Sequence, residues 1–253
     1  MNTASLKLSV RDALESSLSF LGQFLKQHWL LAIIYVVLGT LPAFIIGDQD
    51  ISDISFEKRA GLGIVAIVNV IPSLLLIYYS LRDALLKLDP SNSLPNKSLA
   101  FALWQIFCMN LLSAIIGVPL LLLLILPGVW WSTKSTVSFA NLLSTNDGVI
   151  DSIRKSHQLM NERFWQCLGF LVGTSSTVIL VTVIAGITIG FFLLIGGVLN
   201  AVFHEGAGFN RAMMIFRVMG PVLAVFTAVV FYYVQAWLYV YLKQDTPVPV
   251  TTV

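Results

Sequence analysis

No aspartate or glutamate lies inside any long apolar run of this sequence. Proton- and sodium-coupled transporters usually need intramembrane acids, so their absence argues against that class. Charge is scarce throughout: 11% of the 253 residues are Asp, Glu, Lys or Arg, against about 25% in average soluble chains. The net charge of +2 is too small to point to nucleic acid as a partner. Cysteine numbers two, Cys108 and Cys167, both in apolar runs. No CxxC pair or disulfide framework exists, and both read as small buried hydrophobes. His28, His157 and His204 are scattered, with no HExxH, so no metal centre or other cofactor is expected. GxSxG is absent as well. Asp147-Gly148, followed by Asp151 and Arg154, lacks the spacing and downstream aspartates of a phospholipid-synthase motif. No cleavable leader is expected, because the first apolar run starts only at Trp29 and no small-x-small site follows it. Neither end of the sequence carries a lipidation motif.

What the sequence has is apolar surface. Apolar and aromatic residues make up 57%, with a mean hydropathy of +0.85. A globular surface needs more polar groups than this, so lipid must solvate most side chains. The expected fold is all-α: a polytopic bundle forming one integral-membrane domain over 1–253. Spans are expected near 29–47, 60–81, 99–126, 128–143, 164–190 and 218–242. Pro42, Pro72, Pro119 and Pro221 fall within or at the start of spans. Such prolines are ordinary in membrane helices, and they also mark the broken helices of transporters. The charge-free stretch 164–203 is 40 residues long, twice the roughly 20 that one span needs. It reads as one span plus an irregular extension near Gly196-Gly197, or as a hairpin turning near Gly186.

Two amphipathic helices complete the pattern, 9–27 and 148–163. In the first, Val10, Leu14, Ser17, Leu18, Leu21 and Leu25 form an apolar stripe, and Ser9-x-x-Asp12 looks like a capping box. In the second, Val149, Ile153, Met160 and Phe164 form the stripe, with His157 beside it. Asp151 and Lys155 stand at the i, i+4 spacing of a favourable pair. Both helices should lie on the membrane surface. With the N-terminus in the cytosol, the cytosolic segments hold Lys7, Arg11, Lys26, Arg82, Lys87, Lys97, Arg154, Lys155, Arg163 and Lys243. The outer segments hold Lys58, Arg59, Arg211 and Arg217. This follows the positive-inside rule and places both termini and both surface helices on the cytosolic side. Trp29, Trp104, Trp130, Trp131, Trp165 and Trp237 fall near span ends, as interface anchors do.

Lys134 is the odd residue, an ammonium inside an expected span and surrounded by Ser132, Thr133, Ser135, Thr136 and Ser138. Three readings stand: it contacts a lipid phosphate or other anion, it snorkels to the outer interface, or the span is misplaced. Arg154 and Lys155 on the second surface helix are further candidates for contact with anionic headgroups. The polar span residues Asn69, Gln105, Asn110, Asn141 and Gln235 either join helices or line a pathway. Gly169-x3-Gly173 and Gly186-x3-Gly190 are small-xxx-small pairs suited to close helix contact.

Leu126-Pro127-Gly128, the semi-polar segment after it, and then Ile150-x-x-Ile153-Arg154-x-Ser156-x-x-Leu159-Met160-x4-Trp165 form a recurrent bacterial pattern. Over these roughly 40 residues the chain resembles the YciC-type inner-membrane proteins and the membrane domain attached to some glycerophosphodiester phosphodiesterases. Pro127, Gly128, Arg154, Ser156, Leu159 and Trp165 occupy the matching positions. The resemblance implies a multi-pass protein of the bacterial inner membrane with no catalytic residues. The expected role is a non-enzymatic accessory or scaffold factor in envelope or lipid homeostasis. The alternative is a small transporter or channel for a lipid or other amphiphile. Membrane lipids are the expected partners, with a packing helix or a second copy of the chain as further candidates.

Overall fold

The computed structural model describes residues 8–46, 55–90, 93–123, 125–203 and 207–245. Among these, every regular element is a helix: α1 (Val10–Gln27), α2 (Trp29–Ile46), α3 (Phe56–Leu88), α4 (Leu99–Leu123), α5 (Ile125–Ser135), α6 (Ser138–Ser144), α7 (Val149–Asn161), α8 (Phe164–Phe203) and α9 (Ala207–Asp245). Within α3, α4, α8 and α9 lie four stretches long and apolar enough to cross a membrane: Phe56–Leu88, Leu99–Leu123, Phe164–Thr188 and Met219–Gln244. A fifth is added if Val10–Gln27 and Trp29–Pro42 count as one broken span. Asp48, Asp50 and Asp53, the pair His204-Glu205, and both chain termini lie outside the described residues.

The segment expected as a fourth span, 128–143, is instead two helices, α5 and α6, separated by a turn at Thr136-Val137. At 1.5 Å per residue, the 11 residues of α5 reach only about 16 Å, half of a hydrocarbon layer. Pro127-Gly128 opens a helix rather than closing one. Pro127 sits in the first turn of α5, where an N–H has no helical partner and proline is tolerated. Gly128 lets α5 fold back on α4: a Cβ there would fall 2.7 Å from the Leu121 Cα. Three residues on, Trp131 lies against Gly117. The return is complete by Leu142, whose carbonyl accepts a 2.7 Å hydrogen bond from Lys97, just ahead of α4.

α8 also departs from both expectations. It runs unbroken for 40 residues, with neither a turn at Gly186 nor an irregular piece near Gly196-Gly197. An apolar run without proline keeps its backbone bonds internal, and isolated glycines are tolerated in such a setting.

The chain divides into two compact units. Unit 1 holds Met1–Phe24, Ile77–Ser175 and Val229–Val253. Its core is the second half of α9, with Val229, Tyr233, Val234, Ala236, Leu238, Tyr239 and Leu242 all buried. The candidate span in α9 is 56% buried, against 17–22% in the other three, which leaves those mostly to lipid. α1 joins this core through Ala13, Ser17, Phe20, Leu21 and Phe24, and the Phe20 ring lies 4.8 Å from that of Tyr233. Its buried face is therefore turned from the expected stripe: the aromatics take the inside and Leu18 is 63% exposed. The Asp12 amide donates to Ser9 Oγ, one half of the expected capping box. In α8, Gly173 meets Val10 closely.

Unit 2 holds Leu25–Leu76 and Ser176–Ala228. Here Gly39 of α2 lies against Pro221 of α9, and Thr182 of α8 shares a hydrogen bond with Thr227 of α9. Gly186 has open space around it and makes no close helix contact.

Candidate functional site

The sequence around Lys134 becomes a groove between α5 and α7, within unit 1. α7 forms because its apolar positions repeat at helical spacing, and it buries Ser152, Ile153, Ser156 and Met160. Serines among those buried residues let it approach other backbones closely. The Ser156 hydroxyl donates to the Lys134 carbonyl, one of the last in α5 and thus without a helical partner.

Lys134 is 7% exposed. Its Nζ donates to Asn161 Oδ1 at 2.8 Å and stands 4.4 Å from the centre of the Trp130 ring. Both partners are neutral. Among the described residues, no carboxylate lies within ion-pair distance of this ammonium. Asn161 belongs to α7, so Lys134 lies beside that helix; of the three readings of Lys134, this fits the misplaced span. The cause is the fold-back of α5, which brings its last turn to α7 instead of leaving it near the far end of α4.

Four of the five hydroxyls around Lys134 are accounted for. Thr133 and Thr136 donate to carbonyls one turn back, Ser138 to the Ser135 carbonyl, and Ser135 pairs with His157 Nε2 at 3.2 Å. His157 also meets the edges of Trp131 and Trp130, with ring centres 5.0 and 5.7 Å away. Burial, and then the charge of Lys134, hold its pKa below the usual imidazole value. The groove encloses about 530 Å³ and is lined by Trp131, Lys134, Ile150, Ile153, Arg154, His157, Gln158, Asn161 and Glu162. Arg154 is exposed, with Asp151 3.8 Å away.

Of the four residues expected to contact an anion, Lys134 and Arg154 line one groove, with Ser135 behind His157. Lys155 lies elsewhere. Instead of pairing with Asp151, it reaches both carboxylate oxygens of Asp147 at 2.8 and 2.7 Å. This pair holds Asp147 below its ordinary pKa, helped by the Thr145 hydroxyl. Nearby, Lys97 donates to Gln105 Oε1 as well as to the Leu142 carbonyl, and burial lowers its pKa. Gln105 Nε2 in turn donates to the Asp147 carbonyl. Ser144 Oγ donates to Tyr239 Oη at 2.6 Å, and Tyr239 donates to Asn141 Oδ1 at 3.4 Å. Gln105 and Asn141 thus join helices, while Asn110 bonds only within α4. Beside this network lies a second groove of about 500 Å³, lined by Asn141, Thr145, Lys155, Gln158, Leu159, Glu162, Arg163, Tyr239, Leu242 and Lys243.

The tryptophans separate. Trp29, Trp130 and Trp165 are exposed and Trp131 is half-buried. Trp237, expected as an interface anchor, is a core residue at 6% exposure, beside Tyr233. It lies on the inward face of α9, and position near a span end does not reveal that. Asn161, Tyr239 and Lys97 were not visible as site residues. Each meets a partner across tens of residues, where no local pattern signals the contact. Among the described residues, no group of three or more His, Cys, Asp or Glu side chains is placed to hold a metal ion. No family model, curated protein or solved structure matches this chain.

Proposed function

We propose that this is a non-enzymatic integral-membrane protein that holds an anionic lipid headgroup in the α5–α7 groove. It would act as an accessory or scaffold factor in lipid or envelope homeostasis. The reading is carried by Lys134: a buried ammonium with only neutral partners, on the floor of an open groove rimmed by Arg154. A buried charge is expensive unless paired. A phosphate in the groove would supply the missing negative charge, while Trp131, Ile150 and Ile153 offer apolar surface to the adjoining chain. The positive-inside balance supports a cytosolic position for α7 and for both termini. The Pro127-Gly128 and Arg154-x-Ser156 pattern supports kinship with the YciC-type inner-membrane proteins, and hence a bacterial inner membrane. One observation favours the second reading, a transporter of lipids or other amphiphiles. Gln158 of α7 and Glu162 just after it line both grooves, so this end of the helix borders two candidate headgroup positions.

Native mass spectrometry from mild detergent tests the first reading. Anionic lipid should remain bound to the native protein. Lys134→Gln should lose it, and Lys134→Arg should keep at least part of it. Equal retention by all three would remove the proposal.

A further inference from the structure

We propose that the second groove, where α7 meets the end of α9, is a separate site for a phosphomonoester group. It shares no cation with the α5–α7 groove and does not rest on Lys134.

Three cations line it: Lys155 from α7, Arg163 from the turn that follows, and Lys243 from α9. Among the described residues, Glu162 is the one carboxylate in the lining. Lys155 is held in place by Asp147, which fixes its ammonium without exhausting its three donors. The Arg163 guanidinium stands 6.0 Å from the centre of the Tyr241 ring, a contact that orients its plane.

Asn141 provides an independent observation. Its side chain is 3% exposed and lines the groove. Its Oδ1 accepts from Tyr239, while Nδ2 helps to hold Asp147 ionised at longer range but closes no hydrogen bond. A buried amide donor of this kind normally has a partner. An oxygen of a bound ligand would satisfy it. Cations around a buried neutral donor suit a compact group with several acceptor oxygens and close to two negative charges, which describes a phosphomonoester at neutral pH. Such a group occurs on small soluble molecules and on phosphatidic acid, and the chemistry of recognition is the same for both.

The full chain in nanodiscs distinguishes the two sources. In discs of phosphatidylcholine alone, methyl phosphate is titrated and binding is followed by ³¹P NMR. In a second preparation, phosphatidic acid is mixed into the bilayer and its retention is measured by native mass spectrometry. Saturable binding in either arm is expected, and the arm that succeeds names the source. Arg163→Gln with Lys243→Gln should weaken it by about tenfold or more, the loss expected when charge-assisted hydrogen bonds are removed. Both arms are read in the Lys134→Gln protein, whose α5–α7 groove has lost its ammonium, so that binding reports on this site alone. A thermal melt matching the native protein would show that the double variant is folded. Should it melt early, Tyr239→Phe, which releases Asn141, serves as the second variant, with weaker binding again expected. Failure of both probes to bind the Lys134→Gln protein, or equal binding once a folded second-groove variant is added to it, would overturn the proposal.

Discussion

Replacing Gly128 with alanine should force α4 and α5 apart. The new methyl carbon would fall 2.7 Å from the Cα of Leu121 and equally near its Cγ and Cδ2. Ordinary carbon–carbon contacts lie near 3.5–4.0 Å, so relief requires a shift of about 1 Å. A rotamer change could move Cγ and Cδ2, but the Cα moves only with the backbone of α4. Overpacking of this type costs about 1–3 kcal/mol. In a chain of this length that lowers the melting temperature by about 2–12 °C. Gly22 of α1 is the control. Nothing lies within 4 Å of a Cβ built there, and alanine is the better helix former by about 1 kcal/mol. The two Gly→Ala changes should therefore act in opposite directions. Tryptophan fluorescence during thermal unfolding in nanodiscs is a suitable assay, since Trp130 and Trp131 both lie on α5. A Gly128→Ala protein that melts with or above the native one would show that α5 does not fold back on α4 as described.

Three further outcomes are expected. His157 has a folded pKa below the ordinary imidazole value of 6.5, so the unfolded chain takes up the proton first. Its contribution to stability is intact above pH 6.5 and declines as the pH falls from there toward the lowered value; melting curves of the native protein and His157→Gln should diverge in that range, and parallel curves would refute this. An anion beside Lys134 would restore the proton affinity of His157, so binding in the α5–α7 groove should tighten with acidification, as lipid retention measured across the same pH range would show. Asp147 and Lys155 are 20% and 51% exposed at the side chain, so a double-mutant cycle on thermal stability should give a coupling below about 1 kcal/mol, and a several-fold larger value would mean that the pair is shielded from solvent.

Helix type and helix face were largely legible from the sequence, because amphipathic periodicity is local. α7 shows this best, with Ile153 and Met160 of the expected stripe both buried. α1 shows the limit. Its helix was evident, but a chain rich in leucine and phenylalanine offers several similar stripes, and only tertiary packing, such as the Tyr233 ring of α9 against Phe20, decides that the aromatics face inward. The boundary expected at Pro127-Gly128, between spans 99–126 and 128–143, failed for another reason. Both residues interrupt helices in water, yet proline is equally suited to a first turn and glycine to a close crossing, and the choice depends on Leu121 across the hairpin. In lipid, core and surface share one apolar composition, so neither the burial of Trp237 nor the central place of α9 could be read from hydropathy. At the candidate site, Lys134 stood out because charge is rare in such a chain. Asn161 did not, because an asparagine at the end of a surface helix is unremarkable until α5 is folded against it.

α9 is also made after every other helix described here. The residues that complete unit 1 therefore leave the ribosome after α1, α4 and α7 have already been delivered to the membrane. Phe20 must wait for Tyr233, and Ser144 must wait for Tyr239. These are contacts of high sequence separation, which form slowly. During the interval, α1 carries an unburied aromatic face and Asn141 Oδ1 of α6 lacks the Tyr239 hydroxyl. Newly made chains should thus pass through a protease-sensitive stage that ends when the second half of α9 inserts. Pulse-labelled chains stalled before Val229 would display that stage directly.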